Sequence, residues 1–488
     1  MGKSTFFKKT SLLITSNILS GILVFIFILV LSREIGARGM GLYQLVMPLY
    51  SMLLYITGGG IAVAISTLAA QEKANGKLRE LYRTVYLVFI VELVWSLLIT
   101  ALIVLSANFI SKNLLSDSRT YYSIIAFCPA LIMISLSSII KGVYYGIQRV
   151  IEPAIIDIVE KAVKILLMYP MVTYIKGMSL EYAAAAALLA LSIGEMISLI
   201  FLIITFRRYM GRNVSKRVLD NDYQLCFNLF RMAIPISLEG VITALFGTLT
   251  AILIPKRLQS SGLSYEEALS LLGKLQGMTI NIAFFPMIIN SAYNLLLIPS
   301  IAETTNSRLL IHRINSAIKL TIITSTLTTA IIISAPIKIG NFFYGDEIVG
   351  KLLFMLAPAL PLVYLELLSY SILNGLGKQT KLLFNSILIQ TLDIILLYIF
   401  IGSPRLNIYG YVLNITISSI VGIFINYRLI IKVASLKINW ARSIVIPILC
   451  SILTYLIANN YIFKFLKVPE AIIISIIIYS LMYFVANI

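Results

Sequence analysis

The chain has 488 residues, 59% of them hydrophobic and only 12% charged, with a mean hydropathy of +0.95. That balance excludes a water-soluble globular domain. The net charge of +18 would suggest a nucleic-acid partner, but the cations are scattered through short segments between long apolar runs, which excludes a nucleic-acid surface.

A stretch of about 20 apolar residues crosses a ~30 Å hydrocarbon core. Fourteen such stretches follow one another, near 10–32, 42–66, 84–107, 121–145, 154–175, 182–205, 232–254, 276–301, 317–337, 350–373, 382–402, 408–430, 441–458 and 470–487. The first follows Lys8 and Lys9 as a signal peptide would, but it is too long and ends in SREIGARG, so it is predicted to stay as a helix. The prediction is an all-α polytopic membrane protein of about 14 helices. With the N-terminus in the cytoplasm, inside segments hold 24 Lys and Arg and outside segments 13, leaving Lys161 and Lys164 within a span. That bias places both termini on the cytoplasmic side, and the high Ile, Lys and Asn content suggests a bacterial genome and hence a bacterial plasma membrane.

The chain repeats itself. FCPALIMISLSSIIKGVYYGIQRVIEPAIIDIVEKAVKILLMY, from Phe127, aligns without a gap on LAPALPLVYLELLSYSILNGLGKQTKLLFNSILIQTLDIILLY, from Leu356, at an offset of 229. Pro129, Gly146 and Tyr169 match Pro358, Gly375 and Tyr398, and the Ser66–Gln71 region echoes Ile298–Glu303. Spans 1–6 and 7–12 are therefore predicted to be two copies of a six-helix unit in the same orientation, related by a pseudo-two-fold axis along the membrane normal. The expected divisions are a lobe over 1–205, a cytoplasmic loop over 206–230, a second lobe over 231–432 and two additional helices over 433–488.

Within that frame the embedded charges stand out, because an ionisable group at the bilayer centre costs roughly 2.5–3.5 kcal/mol on insertion scales. Asp157, Glu160, Lys161 and Lys164 recur at spacings of three and four in one apolar stretch, which places them on one helix face. Such a stripe is expected to face a watery cavity or a protein partner. The bland alternatives are an i,i+4 pair between Glu160 and Lys164 and a Lys161 that snorkels to the headgroups. Glu92, Glu195 and Glu366 are single carboxylates, either sites for a coupling H⁺ or Na⁺ or buried protonated acids. Glu239 precedes Gly240 early in its span, and Asp393 is the repeat counterpart of Lys164, so opposite charges could meet across a central space. Gly58-Gly59-Gly60, Pro129, Pro235, Pro286, Pro358 and Pro361 mark candidate kinks or hinges.

Other chemistry is missing. GKST at Gly2–Thr5 lacks the upstream glycine of a phosphate loop. His312, the only histidine, sits in a short basic loop, and Cys128, Cys226 and Cys450 have neither metal nor disulfide spacing. The expectation is no enzyme, no metal and no cofactor beyond a coupling ion.

LSREIGARGMGLYQLVMPLYSMLLYITGGGIAVAIS, LIPKRLQSSGLSYEEALSLLGKLQGMTINIAFFP and LLIPSIAE resemble the stage V sporulation protein B and polysaccharide flippase family of the multidrug/oligosaccharidyl-lipid/polysaccharide exporter superfamily. GIQRVIEPAIIDIVEKAVK resembles that family's Q-x-x-E-Q-x-x-R region, with Glu160 at the acidic and Lys164 at the basic position. The resemblance implies a V-shaped cavity between two lobes, opening alternately, and a groove for lipid tails at the extra helices. It also implies a monomer that flips an undecaprenyl-pyrophosphate-linked glycan outward, beside cell-wall synthesis proteins. Relatives that flip lipid II carry arginines in spans two and eight. The stretches here, around Tyr55 and Asn281, have no basic side chain, so pyrophosphate recognition would fall to Lys164, Lys161, Arg33, Lys256 or Lys274. A multidrug or cation exporter driven by H⁺ or Na⁺ is the rival on the same scaffold, and a non-transporting scaffold for wall or spore-coat synthesis ranks last.

Overall fold

The computed structural model describes residues 3–75, 78–175, 177, 179–210, 220–304, 306–434 and 441–486, without the side chains of 3–11, 78–80, 210, 220–222, 225 and 441–442. The Gly2–Thr5 motif and most of the basic loop after Arg208 lie outside the described side chains.

The described chain is helical throughout. The first seven helices are α1 (Lys3–Gly58), α2 (Ile61–Ala74), α3 (Leu78–Phe109), α4 (Tyr121–Gly146), α5 (Ile151–Ile175), α6 (Leu180–Met210) and α7 (Asp220–Ser260). Then follow α8 (Tyr265–Leu272), α9 (Ile280–Phe284), α10 (Met287–Ala302), α11 (Ser307–Ser334), α12 (Pro336–Tyr344), α13 (Glu347–Leu356), α14 (Leu360–Gly375), α15 (Gln379–Ile401) and α16 (Gly410–Ala434). The C-terminal part holds α17 (Ile446–Ile457), the one-turn α18 (Phe463–Phe465) and α19 (Val468–Val485). Among the described residues 11 helices are long and apolar enough to cross a membrane, or 12 if the pair bent by 63° at Phe285-Pro286 is one span. This is fewer than the fourteen expected. Two expected spans share α1, which is bent at Gly36 (φ 67°, ψ −176°), and α5 is diluted by its five charged side chains, Glu152, Asp157, Glu160, Lys161 and Lys164.

The break between α1 and α2 is paired off rather than left bare. Where α1 ends at Gly58, Trp95 Nε1 donates to Ile56 O at 3.1 Å and Gly60 N donates to Ser237 Oγ at 2.9 Å. In a bilayer these partners replace the water that would satisfy the same groups elsewhere.

The chain forms two compact units, residues 1–252 and 253–488. In the first, the alanine run of α6 lies against α4. Ala183, Ala184, Ala187 and Ala190 are buried, and Ser192 Oγ donates to Ala126 O at 2.6 Å. Small side chains let two helices approach closely where lipid supplies no hydrophobic drive. Ala233 of α7 belongs to a core with Ile139 of α4 and Leu202 of α6, so the early part of that helix packs within the first unit. In the second unit, α10, α11, α14, α15 and α16 share a core that includes Leu297, Ile318, Ile372 and Leu382. The C-terminal helices hang on Thr326 of α11, whose hydroxyl lies 2.9 Å from Tyr479 Oη and whose carbonyl accepts from Ser451 Oγ at 2.8 Å.

The internal repeat is written into the local geometry. α4 ends at Gly146 and α14 at Gly375. Each is followed two residues later by a left-handed residue, Gln148 (φ 62°) and Gly377 (φ 68°), at the same offset of 229. The closing hydrogen bonds match as well, Arg149 N to Tyr144 O at 2.8 Å and Lys378 N to Leu373 O at 3.0 Å. Both helix-end glycines press on the counterpart helix of their own unit, Gly146 on Ser66 and Ala69, Gly375 on Ile298 and Ile301. A Cβ on either would have to displace that helix.

Candidate functional site

Glu160 and Lys164 lie one turn apart on α5, and α6 runs alongside with Glu195. Lys164 Nζ lies 2.5 Å from Glu160 Oε1 and 2.7 Å from Glu195 Oε1. Both carboxylates are buried, and the Lys164 side chain is 14% exposed. The approach is possible because α6 has no side chain at Gly194: a Cβ there would overlap the Lys164 stem and stand 2.9 Å from its Cε. One turn earlier on α5, Asp157 accepts from Lys141 of α4 at 2.6 Å. Lys161 is half-buried and reaches only the Asp157 carbonyl, at 3.4 Å. Three ammonium groups thus face three carboxylates across α4, α5 and α6. Of these, Lys161 is the cation without an ion pair among the described residues.

The i,i+4 pair that the spacing allowed is formed, and Glu195 joins it as a second acceptor. Lys141 was missed. It sits near the end of its apolar run and reads as a loop cation, yet it lies within α4. Its repeat counterpart, Tyr370, also donates to a carboxylate, Glu366 Oε1, at 2.8 Å.

The second unit holds a different arrangement at related positions. Glu366 of α14 accepts from Tyr370 and, through Oε2, from Ser419 of α16 at 2.7 Å. A Cβ on Gly422 would stand 2.7 Å from Glu366 Oε1, so this glycine gives the carboxylate its room. Gly194 and Gly422 are 228 residues apart, one short of the repeat offset. Asp393 of α15 accepts from Asn414 of α16 at 2.9 Å. Glu366 and Asp393 therefore have neutral partners, in contrast to the ion-paired first unit. Lys164 and Asp393 each bond within their own unit.

The other candidates are dispersed. Lys274 pairs with Asp346 at 2.6 Å, and that carboxylate caps α13 through Ile348 N at 2.8 Å. Arg33 and Lys256 are exposed, and Glu239 is half-buried on α7. Glu92 is fully buried on α3 beside Ser135, yet neither of its oxygens finds a donor among the described residues. The Ser135 hydroxyl is committed to Leu131 O at 2.8 Å. His312 is exposed, and the three cysteines are buried and free.

The chain is 25% identical over 463 residues to stage V sporulation protein B of Bacillus subtilis, covering 93% of this chain and 89% of that one. It is 24% identical over 405 residues to the lipid II flippase MurJ of the same organism, covering 77% and 74%. Its fold matches a solved structure of lipid II flippase MurJ in an inward closed conformation with a TM-score of 0.71, at 14% identity and 97% coverage of both chains. Residues 6–263 match the family model described as polysaccharide biosynthesis protein. With more than half its length matched, the chain belongs to the polysaccharide biosynthesis protein family of polytopic membrane proteins.

Proposed function

We propose that the protein is a flippase that moves an undecaprenyl-pyrophosphate-linked glycan from the inner to the outer leaflet by alternating access of two six-helix lobes. The observation that carries this reading is the charged cluster on α4, α5 and α6, membrane-embedded and held together by Lys141, Asp157, Glu160, Lys164 and Glu195. Buried ionisable groups in a membrane are retained at a cost, and a diphosphate passing through low dielectric needs fixed cations. Lys161 is the cation best placed to receive it, because no carboxylate holds it. Lys164 would act behind it, exchanging one of its two carboxylates for the ligand as the lobes rock. The similarity to a protein named as a lipid II flippase supports the substrate class, and the absence of arginines near Tyr55 and Asn281 gives this chain its own set of phosphate contacts.

The test is transbilayer movement of a fluorescent undecaprenyl-pyrophosphate glycan in proteoliposomes. Protein-dependent flipping is expected, reduced at least tenfold in Lys161→Glu and largely kept in Lys161→Arg. Vesicles in which wild type moves no lipid-linked glycan sink the reading.

A second reading, an H⁺- or Na⁺-coupled exporter, is favoured by Glu366 and Asp393, which among the described residues are met by hydroxyl and amide donors rather than by cations and so retain acceptor capacity for a cation. The two readings meet if the same carboxylates couple a gradient to flipping. Uptake of a cationic dye by these vesicles, driven by Na⁺ or H⁺ and lost in Asp393→Asn, would select the exporter.

A further inference from the structure

Away from the charged cluster, α15 and α16 enclose a groove of about 560 Å³ at the end where α15 begins and α16 finishes. Lys381, Arg428 and Lys432 line it together with Thr380, Asn385 and Phe384, and no carboxylate does. Arg428 and Lys432 are one turn apart on α16, and Lys381 stands on the neighbouring helix, so the three charges converge on one opening. All three are exposed, and none has an ion-pair partner among the described residues.

Their depth is defined by the helix itself. Residues 382–401 of α15 rise about 30 Å at 1.5 Å per residue, the thickness of the hydrocarbon core, so Lys381 stands at its edge. From there an exposed apolar track runs toward the membrane middle. Phe384 (69% exposed) and Leu388 form it on α15, and Phe424 (66%) and Ile420 on α16. Cations at headgroup level above exposed aromatic and aliphatic side chains match a molecule with an anionic head and acyl tails.

We propose that this groove is a binding site for an anionic phospholipid, with the headgroup phosphate between Lys381, Arg428 and Lys432 and an acyl chain along Phe384 and Phe424. Asn385 and Thr380 add neutral groups for the glycerol or phosphate oxygens. This end of the helices is the one that the Lys and Arg bias assigns to the cytoplasm, so the ligand belongs to the inner leaflet. The site stands apart from the proposed flipping path and does not depend on the nature of the transported molecule.

The test is native mass spectrometry of the full-length protein in detergent, titrated with phosphatidylglycerol or with phosphatidylcholine of the same acyl chains. A juxtamembrane cation contributes roughly fivefold in affinity for anionic lipid. Phosphatidylglycerol should therefore outbind phosphatidylcholine about tenfold or more. The triple variant Lys381→Gln/Arg428→Gln/Lys432→Gln should erase that preference while leaving phosphatidylcholine adducts as they were. If the triple variant does not purify as a monodisperse protein, Lys381→Gln and Lys432→Gln alone should each cost roughly fivefold. Equal binding of the two phospholipids in wild type overturns the proposal, as does a preference that survives the substitutions. Selective capture of undecaprenyl pyrophosphate in place of phosphatidylglycerol also overturns it, and assigns the groove to the transported lipid instead. Flipping assays on the same variants report separately on the transport reading.

Discussion

Lys164 crosses α6 at Gly194, the one place where that helix has no side chain to stop it, and so reaches Glu195 at 2.7 Å while keeping Glu160 at 2.5 Å. A single buried ammonium is thereby shared by two carboxylates on different helices. Removing one partner of a buried pair costs about 3–5 kcal/mol, because the remaining charge is left uncompensated, whereas replacing the whole set by neutral groups is often harmless. Lys164→Met is expected to destabilise the protein by that amount, and Lys164→Met/Glu160→Gln/Glu195→Gln to recover most of it. Thermal unfolding in detergent measures both. A stable but transport-dead triple variant would separate the functional use of these charges from their structural pairing.

The stripe on α5 was legible in the sequence because four charges at helical spacing in an apolar run have few innocent readings. Lys141 was not, and Glu195 was visible only as a single carboxylate, since their pairings come from other helices and nothing in a one-dimensional pattern fixes how α4 and α6 rotate against α5. Gly194 was equally silent: a lone glycine in an apolar run reads as a packing device until the side chain crossing it is seen. The partner of Lys274 was silent for the same reason. It reads as a free cation near a span, and in the structure it is paired with the Asp346 carboxylate that caps α13. The repeat was the strongest signal, because matched Pro and Gly positions record backbone geometry that both copies must reproduce.

Gly422, one residue off the repeat position of Gly194, offers a parallel test in the second unit. A methyl group at this position would stand 2.7 Å from Glu366 Oε1. Alanine would gain helix propensity of about 1 kcal/mol, but it would push the carboxylate off Ser419 or Tyr370 and leave a buried acceptor short of a donor, at about 1–3 kcal/mol. Gly422→Ala is therefore expected to lower thermal stability despite the better helix former. The same substitution at Gly177, where a Cβ meets nothing within 4 Å, is expected to be neutral or better. Paired melting curves check the difference.

The attachment of the C-terminal helices can be measured at Thr326. Its hydroxyl lies 2.9 Å from Tyr479 Oη, and Tyr479 is 1% exposed, with its hydroxyl also 3.4 Å from Pro447 O. Hydrogen bonds between membrane helices average about 0.6 kcal/mol in double-mutant cycles, because the unfolded state in the bilayer also finds partners. Thr326→Val and Tyr479→Phe should each destabilise slightly, with a coupling of about 0.6 kcal/mol between them. A coupling near zero would mean that α19 is held on α11 by packing alone.

The two copies of the repeat share one left-handed backbone position but not the residue that fills it, and that difference predicts a stabilising substitution. Gln148 and Gly377 occupy equivalent turns with φ of 62° and 68°. A left-handed backbone costs an L-residue roughly 1–2 kcal/mol, while glycine enters it freely. The second copy has the residue that the turn asks for, and the first does not. Gln148→Gly should therefore raise stability, by about 0.5–1 kcal/mol once the greater freedom of glycine in the unfolded chain is set against the relieved strain. Gly377→Ala should lower it by about 1 kcal/mol. Gln148 makes a further contact of its own, so Gln148→Asn, which tolerates the left-handed region better than most residues while keeping a side-chain amide, is the informative intermediate. An order of stability Gly, Asn, wild type at position 148, read from chemical or thermal unfolding, would confirm that the turn geometry rather than the side chain sets the preference. Wild type as the most stable of the three would mean that the Gln148 contact outweighs its strain.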